Sequence, residues 1–418
     1  VKHAPTVLVV GGGATGAGVA RDLARRGVDV ALVDRGGLGS GTSGRSHGLL
    51  HSGARYAESD PAGAAECIEE NGILKDVAGA CVRDTGGLFV QLADDDPAYL
   101  DAKRAACEDV GIPTRVLDAD AVRERVPGLT VDVERAMAVP DGVVYPSRLV
   151  AANAAAVEES GGSVHPHAPL EDLVVTDGRV VAADLGGTVD ATVEPEFVVN
   201  ATGAWAGDVA AMAGVNVEMA PARGAMLAVD YDDLDPVLNR CRDPDDGDIV
   251  LPHSDEVVLG TTSVPVEDPD EYERADWELE RCVEECAAML PAVADADVTR
   301  TWWGVRPLFA PDEADDDRRG ISRGFFRLDH AEDGVANLAS IVGGKLTTYR
   351  KMAASTADLV ADRLGVDSAS TTAEEPLPGA DDPDRLDAFV DRYDAWNPSD
   401  ANLSNATSSD GAGEHTDA

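Results

Sequence analysis

One stretch near the N-terminus limits the fold of this chain more than any other. Thr6–Val10 is a short, largely apolar run, a glycine-rich turn follows at Gly11–Gly16, Ala17–Arg26 reads as a helix, and Asp29–Val33 is a second short strand. Gly11, Gly13 and Gly16 stand in the spacing GxGxxG between strand and helix. In such a unit the first glycine makes the tight turn, the second lets backbone approach a pyrophosphate, and the third lets helix pack on strand. The free N–H groups at the helix start then face the phosphates. Asp34 ends the second strand, 18 residues past Gly16, where a carboxylate accepts hydrogen bonds from ribose hydroxyls. The pattern predicts an α/β, Rossmann-like domain that binds a dinucleotide.

Three further segments favour FAD over NAD. The segment Gly39-Ser40-Gly41-Thr42-Ser43-Gly44 follows Asp34 closely, with small hydroxyl residues suited to a phosphate and a passing flavin. Asn200-Ala201-Thr202-Gly203-Ala204-Trp205 ends a short strand in a tight turn, and Gly343-Gly344-Lys345 opens another helix whose N–H groups suit ring carbonyls. No cysteine or histidine stands in a covalent-attachment motif, so the expected FAD is noncovalent.

Along the rest of the chain, Asp60–Val82 reads as helical. Leu173–Thr176 and Arg179–Ala183 read as a hairpin turned by Asp177-Gly178. Strand-like runs at Ala225–Val229, Asp248–Leu251 and Glu256–Thr262 predict a second, mostly antiparallel β-sheet domain. Asp276–Leu290 is an amphipathic helix, Val335–Val342 a strand, and Lys345–Leu364 a helix. The expected division gives residues 1–80, 145–215 and 335–366 to the FAD-binding domain, and 81–144 and 216–334 to a cap or substrate domain. Residues 367–418 read as an acidic, polar C-terminal tail, with a helical stretch at Arg385–Tyr393 and too little apolar material from Asn397 onward to order it.

Composition narrows the partners. The chain holds 34 Lys and Arg, five of them Lys, against 78 Asp and Glu, a net charge of −44. Such a surface repels nucleic acid and anionic lipid. With the acid spread along the chain, the expectation is a halophilic protein, since at about 1 M salt a Debye length of ~3 Å screens the self-repulsion. The six cysteines form no CxxC; Cys282 and Cys286 share a helix face but lack two more ligands, so no metal is expected. No apolar run approaches the roughly 18 residues of a membrane span and no signal peptide is evident, which predicts a cytoplasmic chain.

Four segments carry a resemblance: His47-Gly48-Leu49-Leu50-His51-Ser52-Gly53-Ala54-Arg55-Tyr56, Gly304-Val305-Arg306-Pro307-Leu308, Ile321-Ser322-Arg323-Gly324, and Gly343 through Lys351 in the string GGKLTTYRK. From Thr6 to Gly379 the chain resembles the FAD-dependent glycerol-3-phosphate dehydrogenases, above all the catalytic A subunit of the anaerobic, multisubunit kind. The resemblance implies the fold of the glycerophosphate dehydrogenases and amine oxidases. It also implies oxidation of sn-glycerol 3-phosphate to dihydroxyacetone phosphate in glycerol catabolism, by hydride transfer to flavin N5. Electrons would pass to a quinone pool, directly or through a partner subunit of a membrane-associated complex at the inner face of the cell membrane.

Implied cofactor contacts are Gly11, Gly13, Ala14, Thr15, Gly16, Asp34, Arg35, Thr42, Ser43, Gly48, Leu49, Ala201, Thr202, Gly203, Trp205, Gly343, Gly344, Lys345, Leu346 and Thr347. Implied substrate contacts are Arg55, Tyr56, Arg306, Arg323 and Lys345. The four cations among them, Arg55, Arg306, Arg323 and Lys345, suit a phosphate dianion, which guanidinium groups bind bidentately. Removal of the hydroxyl proton suits a histidine. His51, four residues before Arg55, is the candidate, with His47 the alternative and Arg306 a candidate to polarise the substrate oxygen.

Relatives of this type usually continue into a C-terminal domain with a cysteine cluster for an iron–sulfur centre, whereas this sequence has no cysteine after Cys286. The sequence leaves open whether that reflects a naturally short chain or a truncated one, and with it the electron route. A related FAD-dependent amine or amino-acid oxidase, and a non-catalytic electron-transfer flavoprotein, are the competing readings.

Overall fold

A computed structural model describes residues 4–253, 255–309 and 324–396. Arg323 and the segment from Asn397 onward lie outside the described residues. At the centre of the first domain stands β1 (Val7–Val10), followed by α1 (Ala14–Arg25) and β2 (Val30–Val33). All four residues of each strand are buried, as in a parallel sheet covered on both faces. The sheet has six strands in the order Phe325–Asp329, Leu338–Gly343, Phe197–Asn200, β1, β2, Ser163–His165. All neighbours run parallel except Phe325–Asp329, which pairs antiparallel with Leu338–Gly343. Small residues bring the covering helices close. A Cβ on Gly18 of α1 would lie 2.9 Å from the Ala353 Cβ, so α1 lies tight against the helix Tyr349–Leu364.

The Asp177-Gly178 turn forms as its sequence predicts, with φ of 50° and 72° at the two residues. Positive φ at both central positions matches the right-handed twist of the flanking strands. The hairpin Leu170–Thr176/Arg179–Leu185 gains a third strand at Ala191–Val193.

The second domain is a mostly antiparallel sheet. Its strands run in the order Val264–Pro265, Ala222–Val229, Glu256–Gly260, Ile249–His253, Val237–Arg240, Gly87–Leu92, Val133–Val139, Arg115–Asp118. Val298–Arg306 also pairs with Ala222–Val229, and Val237–Arg240 beside Gly87–Leu92 is a parallel pair. Strands from residues 81–144 and from 216–309 thus share one sheet. The helix Asp276–Met289 covers it through buried Cys282, Cys286 and Met289. All six cysteines are buried and free, and Cys286 donates its thiol to the Gly247 and Ile249 carbonyls. No cluster of metal-ligating side chains occurs among the described residues.

Two boundaries differ from expectation. Phe325–Asp329, allotted to the substrate domain, belongs to the first sheet, because its backbone supplies the edge partner of Leu338–Gly343. The segment 367–396, expected as a polar tail, is part of the body. Its helix Pro383–Arg392 buries Leu386, and Tyr393 and Ala395 are also buried. Arg148 pairs bidentately with Asp387, and Tyr393 donates to Glu158. Acidic residues dominate its composition, yet a narrow apolar stripe suffices to dock it. Trp396 N donates to the Leu38 carbonyl, and Leu38 N to that of Tyr393, so this segment braces the chain just after Asp34.

Candidate active site

A cavity of about 980 Å³ runs from the glycine turn to the second sheet, at the upper end of the range for small-molecule and cofactor sites. At one end the glycines are required by contact. Gly11 has φ +105°, and a Cβ there would lie 2.5 Å from the Ala201 carbonyl oxygen; a Cβ on Gly16 would lie 1.8 Å from that of Gly11. Gly11, Gly13, Ala14 and Thr15 line the cavity, whereas Gly16 does not and serves the packing of α1 on β1. Ser43 Oγ accepts from Ala14 N at 2.9 Å and so sits over the helix start. Its neighbour Thr42 donates to the Val305 carbonyl of the other domain.

Asp34 lines the cavity with one oxygen accepting from Gly12 N at 2.6 Å and the other from Gly36 N at 2.8 Å. Burial pushes its carboxyl above the ordinary range, against the pull of those two N–H groups. An ionised carboxylate has about four acceptor positions, which leaves two for ribose hydroxyls. Arg35, Ala201, Thr202, Gly203 and Trp205 also line this end. The turn is held by Asn200, which accepts from Thr202 Oγ1 and donates to the Ala206 carbonyl. The cradle has the backbone approach and helix start that a dinucleotide needs, so the residues fit FAD.

The same cavity is lined by His47, Leu49, His51, Arg55, Tyr56, Arg306, Gly343, Gly344, Lys345 and Leu346. His51 is fixed through its backbone. Its N–H donates to Thr347 Oγ1 at 3.0 Å and its carbonyl accepts from Asn71 at 3.3 Å. Its ring lies 5.3 Å from that of Tyr56 and 6.2 Å from that of His47. His47 Nδ1 accepts from Leu49 N at 3.1 Å, so a neutral His47 carries its proton on Nε2 and offers no lone pair there. The Lys345 ammonium lies 4.6 Å from the Tyr56 ring centre. Arg306 ends its strand and donates to the Thr261 hydroxyl at 3.3 Å and the Arg223 carbonyl at 3.4 Å.

Three expected contacts sit differently. Arg55 lines the cavity, but its guanidinium is 2.6 Å from Asp248, whose side chain is 1% exposed, and also donates to the Asp245 carbonyl. Its charge orders that segment as well as facing the cavity. Gly48 is off the lining: with φ +83° it packs on Val144, to which its carbonyl is bonded. Thr347 is fully buried and also off the lining, and its hydroxyl holds His51 instead. Sequence reasoning missed Asp248, Thr261, Arg274 and Asp270, of which the last three line the cavity. They stand in no motif: Thr261 follows the strand Glu256–Gly260, and Asp270 and Arg274 belong to the connection between Val264–Pro265 and the helix Asp276–Met289, so only the tertiary fold brings these three to the cavity. Gly224 was also missed; a Cβ there would lie 2.9 Å from Arg306 Nη1, so its hydrogen leaves room for that guanidinium.

The family model described as FAD dependent oxidoreductase matches residues 6–363. The chain is 46% identical to the A1 subunit of the anaerobic glycerol-3-phosphate dehydrogenase of Haloferax volcanii, over 95% of this chain and 70% of that protein. It is 41% identical to the corresponding A subunit of Escherichia coli K12, over 90% and 70% respectively. Among solved structures, glycine oxidase from Geobacillus kaustophilus superposes with a TM-score of 0.71 at 22% identity, covering 90% of this chain and 99% of that one. The glycerol-3-phosphate dehydrogenase from Bacillus halodurans, complexed with FAD, gives 0.68 at 23%, covering 94% and 71%. These two establish the fold; the sequence relatives establish the family. The chain belongs to the FAD-dependent oxidoreductases and, within them, to the A subunits of the anaerobic glycerol-3-phosphate dehydrogenases.

Proposed function

We propose that this protein oxidises sn-glycerol 3-phosphate to dihydroxyacetone phosphate. The observation that carries the reading is a single cavity lined both by a dinucleotide cradle and by His51, Tyr56, Arg306 and Lys345. FAD, when bound, supplies a hydride acceptor for the hydrogen on the substrate C2. The protein's residues have three tasks. Arg306 and Lys345 bind the phosphate dianion, each charge-assisted bond contributing about 1.5–3 kcal/mol. Arg55, already paired to Asp248, offers its remaining N–H groups from a fixed position; Arg323 is the further expected cation. His51 takes the proton from the substrate hydroxyl at a ring nitrogen. Thr347 and Asn71 hold its backbone for that task, and the lone-pair direction of His47 favours His51 over it as the base.

In this proposal electrons leave for a quinone pool through partner subunits, with the complex peripheral to the inner face of the membrane. What supports the partner subunits is the subunit designation of the relatives; the quinone and the membrane face rest on the resemblance. Among the described residues no helix is long and apolar enough to cross a membrane. An amine or amino-acid oxidase would share the cradle, but a substrate carboxylate carries one charge and is matched by one such cation, whereas Arg55, Arg306 and Lys345 on one cavity suit a phosphate dianion. The deciding experiment is anaerobic addition of glycerol 3-phosphate to the purified holoprotein. Prompt bleaching of the flavin absorbance is expected. Bleaching by amino acids, with none by glycerol 3-phosphate, would overturn the proposal.

A further inference from the structure

The segment 266–275 leaves the second sheet after Val264–Pro265, reaches the first domain, and returns to start the helix Asp276–Met289. It is anchored at both ends of its crossing. Val266 and Tyr272 pack with Ala204, Trp205 and Val305. Between them the Asp268 carboxylate accepts from the Asp270 and Glu271 N–H groups, which fixes the turn that presents Asp270. Asp270 then meets two residues of the first domain at once. Its carboxylate takes both Arg35 terminal nitrogens, at 2.6 and 2.9 Å, and the Trp205 indole N–H at 2.8 Å. The Arg35 guanidinium also stacks 4.4 Å from the Trp205 ring centre.

These three residues all line the cavity beside Asp34 and Gly36, at its dinucleotide end. Arg35 and Asp270 are each about half exposed, 53% and 50%, so the contact lies on the rim rather than in the depth of the site. A strap from one domain is therefore tied to the two residues that flank the cradle of the other. No local sequence need explains it: Arg35 and Asp270 are 235 residues apart.

We infer that Asp270 is a positioning residue for the cofactor, a latch that closes the strap 266–275 over the dinucleotide end through Arg35 and Trp205 and slows FAD release. The inference rests on FAD occupying this cavity. Release requires the strap to lift, and lifting it breaks a bidentate ion pair and an indole hydrogen bond together. Arg35 acts through Asp270, its planar fork matched to the carboxylate rather than to a phosphate.

The test is the rate of FAD release from holoprotein in molar KCl, followed by the fluorescence of freed flavin after dilution. Four proteins form a cycle: wild type, Asp270→Asn, Arg35→Gln and the double variant. Asp101→Asn, which breaks the similar two-pronged exposed pair with Arg135 away from the cavity, is the control. Each single variant is expected to release FAD about fivefold faster, the upper range for an exposed ion pair. The double variant is expected to be no faster than either single, because both remove one contact. Release at the wild-type rate in Asp270→Asn overturns the latch. So does multiplication of the two effects in the double variant, which would mean that Arg35 holds the cofactor by itself. Equal acceleration in Asp101→Asn would reduce the effect to general loosening and overturn it as well. Protein purified without flavin overturns the cofactor reading and the latch together, whereas flavin-bearing protein with equal release rates overturns the latch alone.

Discussion

Replacing Arg306 by alanine separates substrate binding from cofactor binding more cleanly than any other single change. Arg306 ends the strand Val298–Arg306, in register with Ala222, and Pro307 holds its backbone extended. The guanidinium hydrogen bonds to the Thr261 hydroxyl and the Arg223 carbonyl are long and run to neutral acceptors. Two such bonds together contribute about 1–3 kcal/mol. Loss of a charge from a buried ionic contact with a phosphate costs about 2–5 kcal/mol, a fall of roughly 30- to 5,000-fold. The expected result is kcat/KM reduced within that range, with flavin content close to wild type, since Arg306 belongs to the second sheet and not to the glycine turn or the helix start of the cradle. Arg306→Lys, which keeps the charge but loses the fork, falls between the two. The assay is anaerobic flavin bleaching at graded glycerol 3-phosphate, with flavin occupancy read from the same spectra. Arg179→Ala is the control, because Arg179 sits on the exposed hairpin edge and donates to the Glu196 carbonyl. Equal bleaching rates in Arg306→Ala and Arg179→Ala would refute the reasoning and move the phosphate site elsewhere.

Other expectations follow from the same geometry. Gly16→Ala places a methyl about where the Gly11 carbonyl oxygen lies, and purified protein should carry little or no FAD; a full flavin complement would show that α1 shifts without cost. Thr347→Val removes the acceptor of the His51 N–H and should lower kcat about tenfold, on the order of 1–2 kcal/mol for an unsatisfied buried donor, with Thr347→Ser restoring it; an unchanged kcat would leave Thr347 with packing alone. Raising KCl from about 0.1 M to the molar range shortens the Debye length from ~10 to ~3 Å, so the melting temperature should climb steeply for a chain of net charge −44; a flat profile would contradict the halophilic reading. Burial holds the His253 imidazole down at about 4, with Nε2 against the His47 carbonyl. Its folded form refuses a proton that the unfolded chain accepts near pH 6.5. Its contribution to stability is therefore full above about pH 6.5 and is lost as pH falls towards 4, and denaturant titrations of His253→Asn should show a shallower loss across that window than wild type.

Much of the first domain was legible because its signals are local. The turn Gly11–Gly16 needs particular φ angles and close approaches that only glycine allows, so contact geometry is written directly into residue identity. The Asp177-Gly178 hairpin is legible for the same reason, and the buried parallel strands read as apolar runs. Three of the four motif strings named residues that line the one cavity, among them His51, Arg55, Arg306 and Lys345, because each string is a short local segment.

What the sequence could not settle depends on partners distant in the chain. Residues 325–329 fall in the stretch expected for the substrate domain, and only the edge hydrogen bonds of Phe325–Asp329 to Leu338–Gly343 make them part of the first sheet. The segment 367–396 has the composition of a tail, and only the complementary face of the helix Pro146–Glu159, with Arg148 waiting for Asp387, makes it part of the core. Thr347 was assigned to the cofactor from its place in a motif, yet the fold turns its hydroxyl to the His51 backbone. Arg55 gained Asp248, and Arg35 gained Asp270, from residues about two hundred positions away. A local string can specify the backbone it needs; which charge a side chain meets is fixed only when two sheets close on one cavity.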